Sequence, residues 1–130
     1  MSTEPSTTID TFDNPNSSDF LIDFECPEFT CVCPLTGQPD FASFRIQYIP
    51  DQKCLEMKSL KLYFWSFRDE GHYHEAVTAR ILHDLVEACA PKWMRVVGTF
   101  NVRGGMRPVI TVEHPELGSR PAGVPEVYPS

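Results

Sequence analysis

A chain of 130 residues, 42% of them hydrophobic, fits one domain with its own core, so folding requires neither disulfide staples nor a structural metal. The formal net charge of −7 argues against direct binding to a nucleic-acid polymer unless the basic residues cluster. No apolar run approaches the ~20 residues that span a bilayer, and the N-terminus lacks the basic and apolar regions of a secretion signal, so the expected compartment is the cytoplasm, with the five cysteines reduced.

Residues 1–19 are rich in Ser, Thr, Asp and Pro and read as a flexible arm ahead of a single domain spanning 20–130. FLIDFEC, ending at Cys26, reads as extended. CPLTGQPD, from Cys33 to Asp40, is loop chemistry, punctuated by Pro34, Gly37 and Pro39. FASFRIQYIP then alternates, with Phe44, Ile46 and Tyr48 on one side and Arg45 and Gln47 on the other; this is a half-buried strand that stops at Pro50. LEMKSLKLYFWSF repeats apolar residues at helical spacing through Leu60, Tyr63, Phe64 and Phe67. Cys54 falls at the turn before that helix. HEAVTARILHDLVEACAP predicts a second helix, with Val77, Ile81, Leu85 and Cys89 at steps of four and Pro91 as its stop. MRVVGTFNV and PVITVE are two more strands joined by RGGMR, and the tail beyond has no strong pattern. Segregated strands and helices imply an α+β fold, two helices on one face of an antiparallel sheet.

Three cysteines lie within eight residues, at 26, 31 and 33. With His72 or His74 they would make a zinc set by residue type, but their gaps do not match the paired spacing of structural zinc sites. Free cysteine is commonly a small buried residue, which suits Cys26 and Cys89. Cys33 differs: it sits in a turn-rich loop, with Asp40 seven positions on. A nucleophilic thiol needs access and a neighbouring acid or base, and loops on a rigid scaffold supply such positions. Both readings of Cys33, buried small residue and nucleophile, stand on chemistry alone. Lys58 and Lys61, three apart, share a helix face; they would make a local cationic site or merely a solvated surface. Glu75 is a first-turn carboxylate that the helix dipole would favour in any protein. No G-x-G-x-x-G follows a strand, so a Rossmann domain is unsupported.

ECPEFTCVCPLTGQPDF, LEMKSLKLYFWSFRDEGHYHE and RGG together resemble the short, single-domain form of the QueF family, NADPH-dependent reductases of 7-cyano-7-deazaguanine, over about Phe24 to Gly105. The family's cofactor motif stands as Glu56-Met57-Lys58-Ser59-Leu60-Lys61-Leu62-Tyr63, with Met57 its one departure. The resemblance implies the tunnelling fold (T-fold) and a homo-oligomeric barrel, expected as a decamer of two pentamers, with active sites between subunits. It implies Cys33 as nucleophile and Asp40 as general acid/base. Leu55, Glu56, Met57, His74 and Glu75 would contact the substrate, and Lys58, Lys61 and Arg103 the NADPH. No metal is implied. The product would feed queuosine formation in tRNA, with the free base as partner rather than nucleic acid or membrane. A related T-fold enzyme that passes the same thioimide to an amine is the alternative activity; a non-catalytic zinc- or ligand-binding module is a third. Some relatives carry a protective cysteine two residues after the His-Glu pair, where this chain has Val77.

Overall fold

Alternation along Pro39–Ile49 builds the central strand, because every second side chain of a strand points to the same face. Ala42, Phe44, Ile46 and Tyr48 are buried on that face. The computed structural model describes residues 4–126. Its elements run β1 (Thr11–Asp13), β2 (Ile22–Val32), β3 (Pro39–Ile49), β4 (Lys53–Leu55), α1 (Met57–Trp65), α2 (His74–Cys89), β5 (Trp93–Phe100) and β6 (Val109–His114). The main sheet has the order β2-β3-β5-β6, antiparallel throughout, and β1 pairs with β4 in a small second sheet.

Both helices lie on the face carrying Phe44, Ile46 and Tyr48. Leu60, Tyr63 and Phe64 of α1 and Val77, Ile81 and Leu85 of α2 join them in one core with Met94, Val96 and Phe100. Each such side chain contributes roughly 1.5–3 kcal/mol on burial, more than any surface ion pair of this chain. The approach of α2 to the sheet depends on Gly98, where a Cβ would lie 2.7 Å from Phe44 and 3.0 Å from the Thr78 hydroxyl. The α+β arrangement expected from the sequence is the one found.

Four local expectations need correction. The stretch read as a flexible arm contains β1. Its backbone bonds to β4 and α1: Ser6 donates to Leu62, Asp10 donates to the Ser59 hydroxyl oxygen, and Glu56 donates to Asp10. A three-residue strand held by such bonds leaves no hydrophobic periodicity to read. Cys54 lies within β4 rather than at a turn. Strand β2 continues past Cys26 through Pro27 to Val32, tolerating the proline at an edge-strand bulge between Cys26 and Phe29. The first helix begins at Met57, because Glu56 is its N-cap. Among the described residues no helix is long and apolar enough to cross a membrane.

Candidate active site

The loop between β2 and β3 closes on itself. The Cys33 N–H donates to Gln38 O at 2.8 Å, and the Gly37 N–H returns to Cys33 O at 2.9 Å. Gly37 has φ +72°, a conformation that costs glycine little and other residues more. The closed turn directs three donors at Cys33 Sγ: the Thr36 hydroxyl and the backbone N–H groups of Thr36 and Leu35. Arg103, from the tip of the β5–β6 hairpin, adds a fourth, its Nη1 lying 3.7 Å from Sγ.

These donors stabilise the thiolate over the thiol. They pull the Cys33 thiol down to about 6, the Thr36 hydroxyl first, then the two N–H groups and Arg103, against a smaller opposing effect of burial. Cys33 is 6% exposed, covered by its own turn and the guanidinium rather than sunk in the core. Cys31, near the end of β2, goes the other way, pushed up to about 11 by burial and then by Asp40. Burial likewise raises Cys26, Cys54 and Cys89. Cys33 is therefore the one of the five cysteines whose thiolate is favoured over its thiol by its surroundings.

Asp40 is the second residue of β3, already in the strand, on the row that continues to Ala42 and Phe44. It sits opposite Cys31 in the sheet register and is 6% exposed. Its Oδ1 accepts from Arg103 Nη2, and its Oδ2 lies 3.5 Å from His74 Nε2. The His74 ring stacks on Phe100, centroids 4.0 Å apart, and its carbonyl accepts from the Thr78 hydroxyl. So the ends of β2 and β5, the starts of β3 and α2 and one hairpin tip bring together Cys33, Asp40, His74 and Arg103. Glu75 follows His74 and is exposed.

The remaining candidates lie elsewhere on the chain. Leu55 is buried, its N–H donating to the Tyr48 hydroxyl. Glu56 accepts from the N–H groups of Lys58 and Ser59 at 2.9 and 2.8 Å, which holds its carboxyl below the usual range. Met57, Lys58 and Lys61 are exposed on α1. The segment after α1 runs beside Cys33, with the Val32 N–H donating to Glu70 O and the His72 N–H to Val32 O. The α1 N-terminus is the other end of a helix that rises about 1.5 Å per residue. A cavity of about 560 Å³ between β2 and α1 is lined by Phe24, Met57, Lys61, Trp65 and Arg68 but by neither Cys33 nor Asp40. Lys61 and Arg68 on its wall, with Lys58 exposed on α1 outside it, are donors of the type that hold a phosphate-bearing cofactor, while Glu25 and Glu28 line the same cavity with opposite charge. Among the described residues no three of His, Cys, Asp and Glu form a metal-holding group.

The chain is similar to known proteins. The profile of the family described as QueF-like protein matches residues 39–119. A protein of Anaeromyxobacter dehalogenans (strain 2CP-C) named NADPH-dependent 7-cyano-7-deazaguanine reductase is 61% identical over 125 residues, 95% of this chain and 100% of that protein. A protein of the same name from Methylobacillus flagellatus is 59% identical over 122 residues, covering 93% and 88% of the two chains. This chain belongs to the QueF-like family. The crystal structure of the archaeosine synthase QueF-Like in the apo form superposes with a TM-score of 0.67 at 22% identity, over 72% of this chain and 91% of that one, a likeness of fold. The family profile starts at Pro39, so Cys33 lies outside it, while the two relatives span nearly the whole chain. Sequence reasoning had missed Thr36 and the Leu35 N–H. The legible signal was a hydroxyl three residues after a cysteine in a Pro/Gly turn.

Proposed function

We propose that this QueF-like chain reduces the nitrile 7-cyano-7-deazaguanine to 7-aminomethyl-7-deazaguanine, consuming two NADPH, through a covalent thioimide on Cys33. The observation that carries this reading is a single thiolate cysteine beside a buried carboxyl group, in a chain 61% identical to a protein named for that reduction. Nitriles are weak electrophiles, and a thiolate converts one into a better hydride acceptor by splitting one hard step into easier ones.

Cys33 Sγ attacks the nitrile carbon. A C–S bond forms, one C≡N π bond breaks, and the nitrogen takes a proton that Asp40, as general acid/base, relays from solvent. NADPH supplies hydride to that carbon when bound, with Lys58, Lys61 and Arg68 as the residues suited to its phosphates. The C–S bond then breaks, and the Leu35 and Thr36 N–H groups that hold the thiolate ease its departure. The imine left behind takes a second hydride at carbon and a second solvent proton at nitrogen, passed by the same Asp40 relay, which completes the primary amine. His74, steadied by Phe100, and the exposed Glu75 are placed to contact the ring, since a carboxylate accepts from a guanine-like N–H and amine together. Leu55, Glu56 and Met57 complete the substrate contacts.

The catalytic cluster and the Glu56–Lys61 strip lie at different ends of α1. That separation supports a homo-oligomer, expected as two stacked pentamers, in which one copy's α1 completes the site of the next; light scattering of the purified chain tests it. The free base is the substrate, and the chain works in the cytoplasm for queuosine formation. The deciding assay follows reduced-nicotinamide absorbance with the nitrile present. Two NADPH oxidised per nitrile, abolished in Cys33→Ala, is the expected result. A nitrile adduct on Cys33 with no oxidation would move the reading to an amine-accepting relative.

A further inference from the structure

The guanidinium of Arg103 touches both members of the catalytic pair. Nη1 lies 3.7 Å from Cys33 Sγ, and Nη2 donates to Asp40 Oδ1. The residue sits at a hairpin tip closed by reciprocal hydrogen bonds with Met106, across Gly104 and Gly105 at φ +56° and +77°. Its side chain is 44% exposed, so it reaches the pair from the solvent side while the tip stays outside the core. The resemblance assigns Arg103 to the cofactor, from another subunit. Its own chain offers it different partners.

We propose that Arg103 is the counter-ion of its own chain's nucleophile, one planar fork bridging the Cys33 thiolate and the Asp40 carboxylate before substrate arrives. The geometry suits Arg and not Lys, since two donors on a rigid plane can serve two anions at once where an ammonium is a single point charge. The bridge also sets an order of events, resting on Cys33 as the attacking group. When Sγ bonds to the nitrile carbon, the sulfur loses its charge and one guanidinium donor loses its partner. The arm is then held by Asp40 alone, and the freed donor becomes available to another anion, such as a phosphate. The other ionisable groups facing the pair are His74 from α2, 3.5 Å from Asp40, and Cys31 from β2, opposite Asp40 in the register.

The test is the pH dependence of iodoacetamide alkylation at Cys33, read by peptide mass spectrometry on the full chain, in wild type, Arg103→Ala and Arg103→Lys. Removing an opposite charge at this distance, partly exposed, raises the midpoint by about one pH unit. At pH 6 the Ala variant then alkylates about fivefold more slowly, and above about pH 8.5 the two rates converge. The Lys variant falls between them. Unchanged thermal melting confirms that the fold is intact. An unmoved midpoint in Arg103→Ala, with any defect confined to the KM for NADPH, overturns the proposal and leaves Arg103 to the cofactor. Alkylation needs neither nitrile nor NADPH. A moved midpoint in a protein that never oxidises NADPH would therefore sink the reductase reading and keep the bridge.

Discussion

Two pairs of backbone N–H groups in this chain each hold an anionic side chain, and they differ in what holds the pair in place. Lys58 and Ser59 present theirs because they open α1, and the anion is the carboxylate of Glu56. Leu35 and Thr36 present theirs because a glycine-closed turn folds back on Cys33, and the anion is a thiolate. The first pair satisfies donors that every helix start leaves open, so its product is structure. The second spends the same kind of donor on a group that would otherwise be neutral near pH 7, so its product is reactivity. Cys31, two residues before Cys33, shows what the turn adds. Without such donors, burial sends its thiol up to about 11 while Cys33 comes down to about 6.

The largest expected effect breaks the comparison at its reactive end. Cys33→Ala lowers turnover by more than about 10³-fold, because no other group can form the covalent intermediate. Cys31→Ala leaves most of the activity, since the reacting sulfur and its donors are untouched. NADPH oxidation by the two variants side by side checks this, and equal losses would mean that the turn does not single out Cys33. Oxidation sharpens the same contrast. A partly shielded thiolate, with Val77 where the resemblance implies a protective cysteine in some relatives, should over-oxidise. Brief peroxide treatment is expected to leave activity that a thiol reductant does not restore, and full recovery would count against it.

A smaller effect isolates one donor. Thr36→Val keeps the shape of the side chain and the two N–H groups but removes the hydroxyl. A charge-assisted hydrogen bond lost at this partly solvated site moves the Cys33 alkylation midpoint from about 6 to about 7. The sign follows from the thiolate being the reactive form: alkylation of wild type rises as pH passes about 6, and that of the variant rises later. A midpoint that stays put would mean that the backbone pair alone holds the charge.

Much of this was legible in the chain. Alternation in Phe44, Ile46 and Tyr48 and four-residue steps in Val77, Ile81, Leu85 and Cys89 are core-facing patterns, and burial obeys them. Cys33 stood out by its turn residues and Asp40 by its distance from Cys33. The rest depended on contacts between residues far apart in sequence. Arg103 reaches Cys33 across 70 positions, and the Asp10 N–H finds the Ser59 hydroxyl across 49. No periodicity encodes such pairings. β1 was illegible for the same reason: its partner β4 is itself only three residues long.

The smallest effect lies at the structural end of the comparison and asks whether Glu56 does one thing or two. As an N-cap it holds α1, and through Ser59 it holds the Asp10 N–H of the β1 segment. Its carboxyl is held below the usual range by the Ser59 and Lys58 N–H groups. A depressed carboxyl stabilises the fold above its unfolded titration, and that contribution disappears as pH falls through the folded value. Glu56→Ala should therefore lower the Tm at pH 7, and the gap to wild type should close as the pH drops below about 4. If capping is the whole role, Glu56→Gln, which still offers one acceptor oxygen, recovers part of the Tm and keeps the KM for the nitrile. A raised KM in Glu56→Gln with the Tm largely recovered would show that the carboxylate also meets the substrate. The two anion-holding N–H pairs would then both serve the reaction.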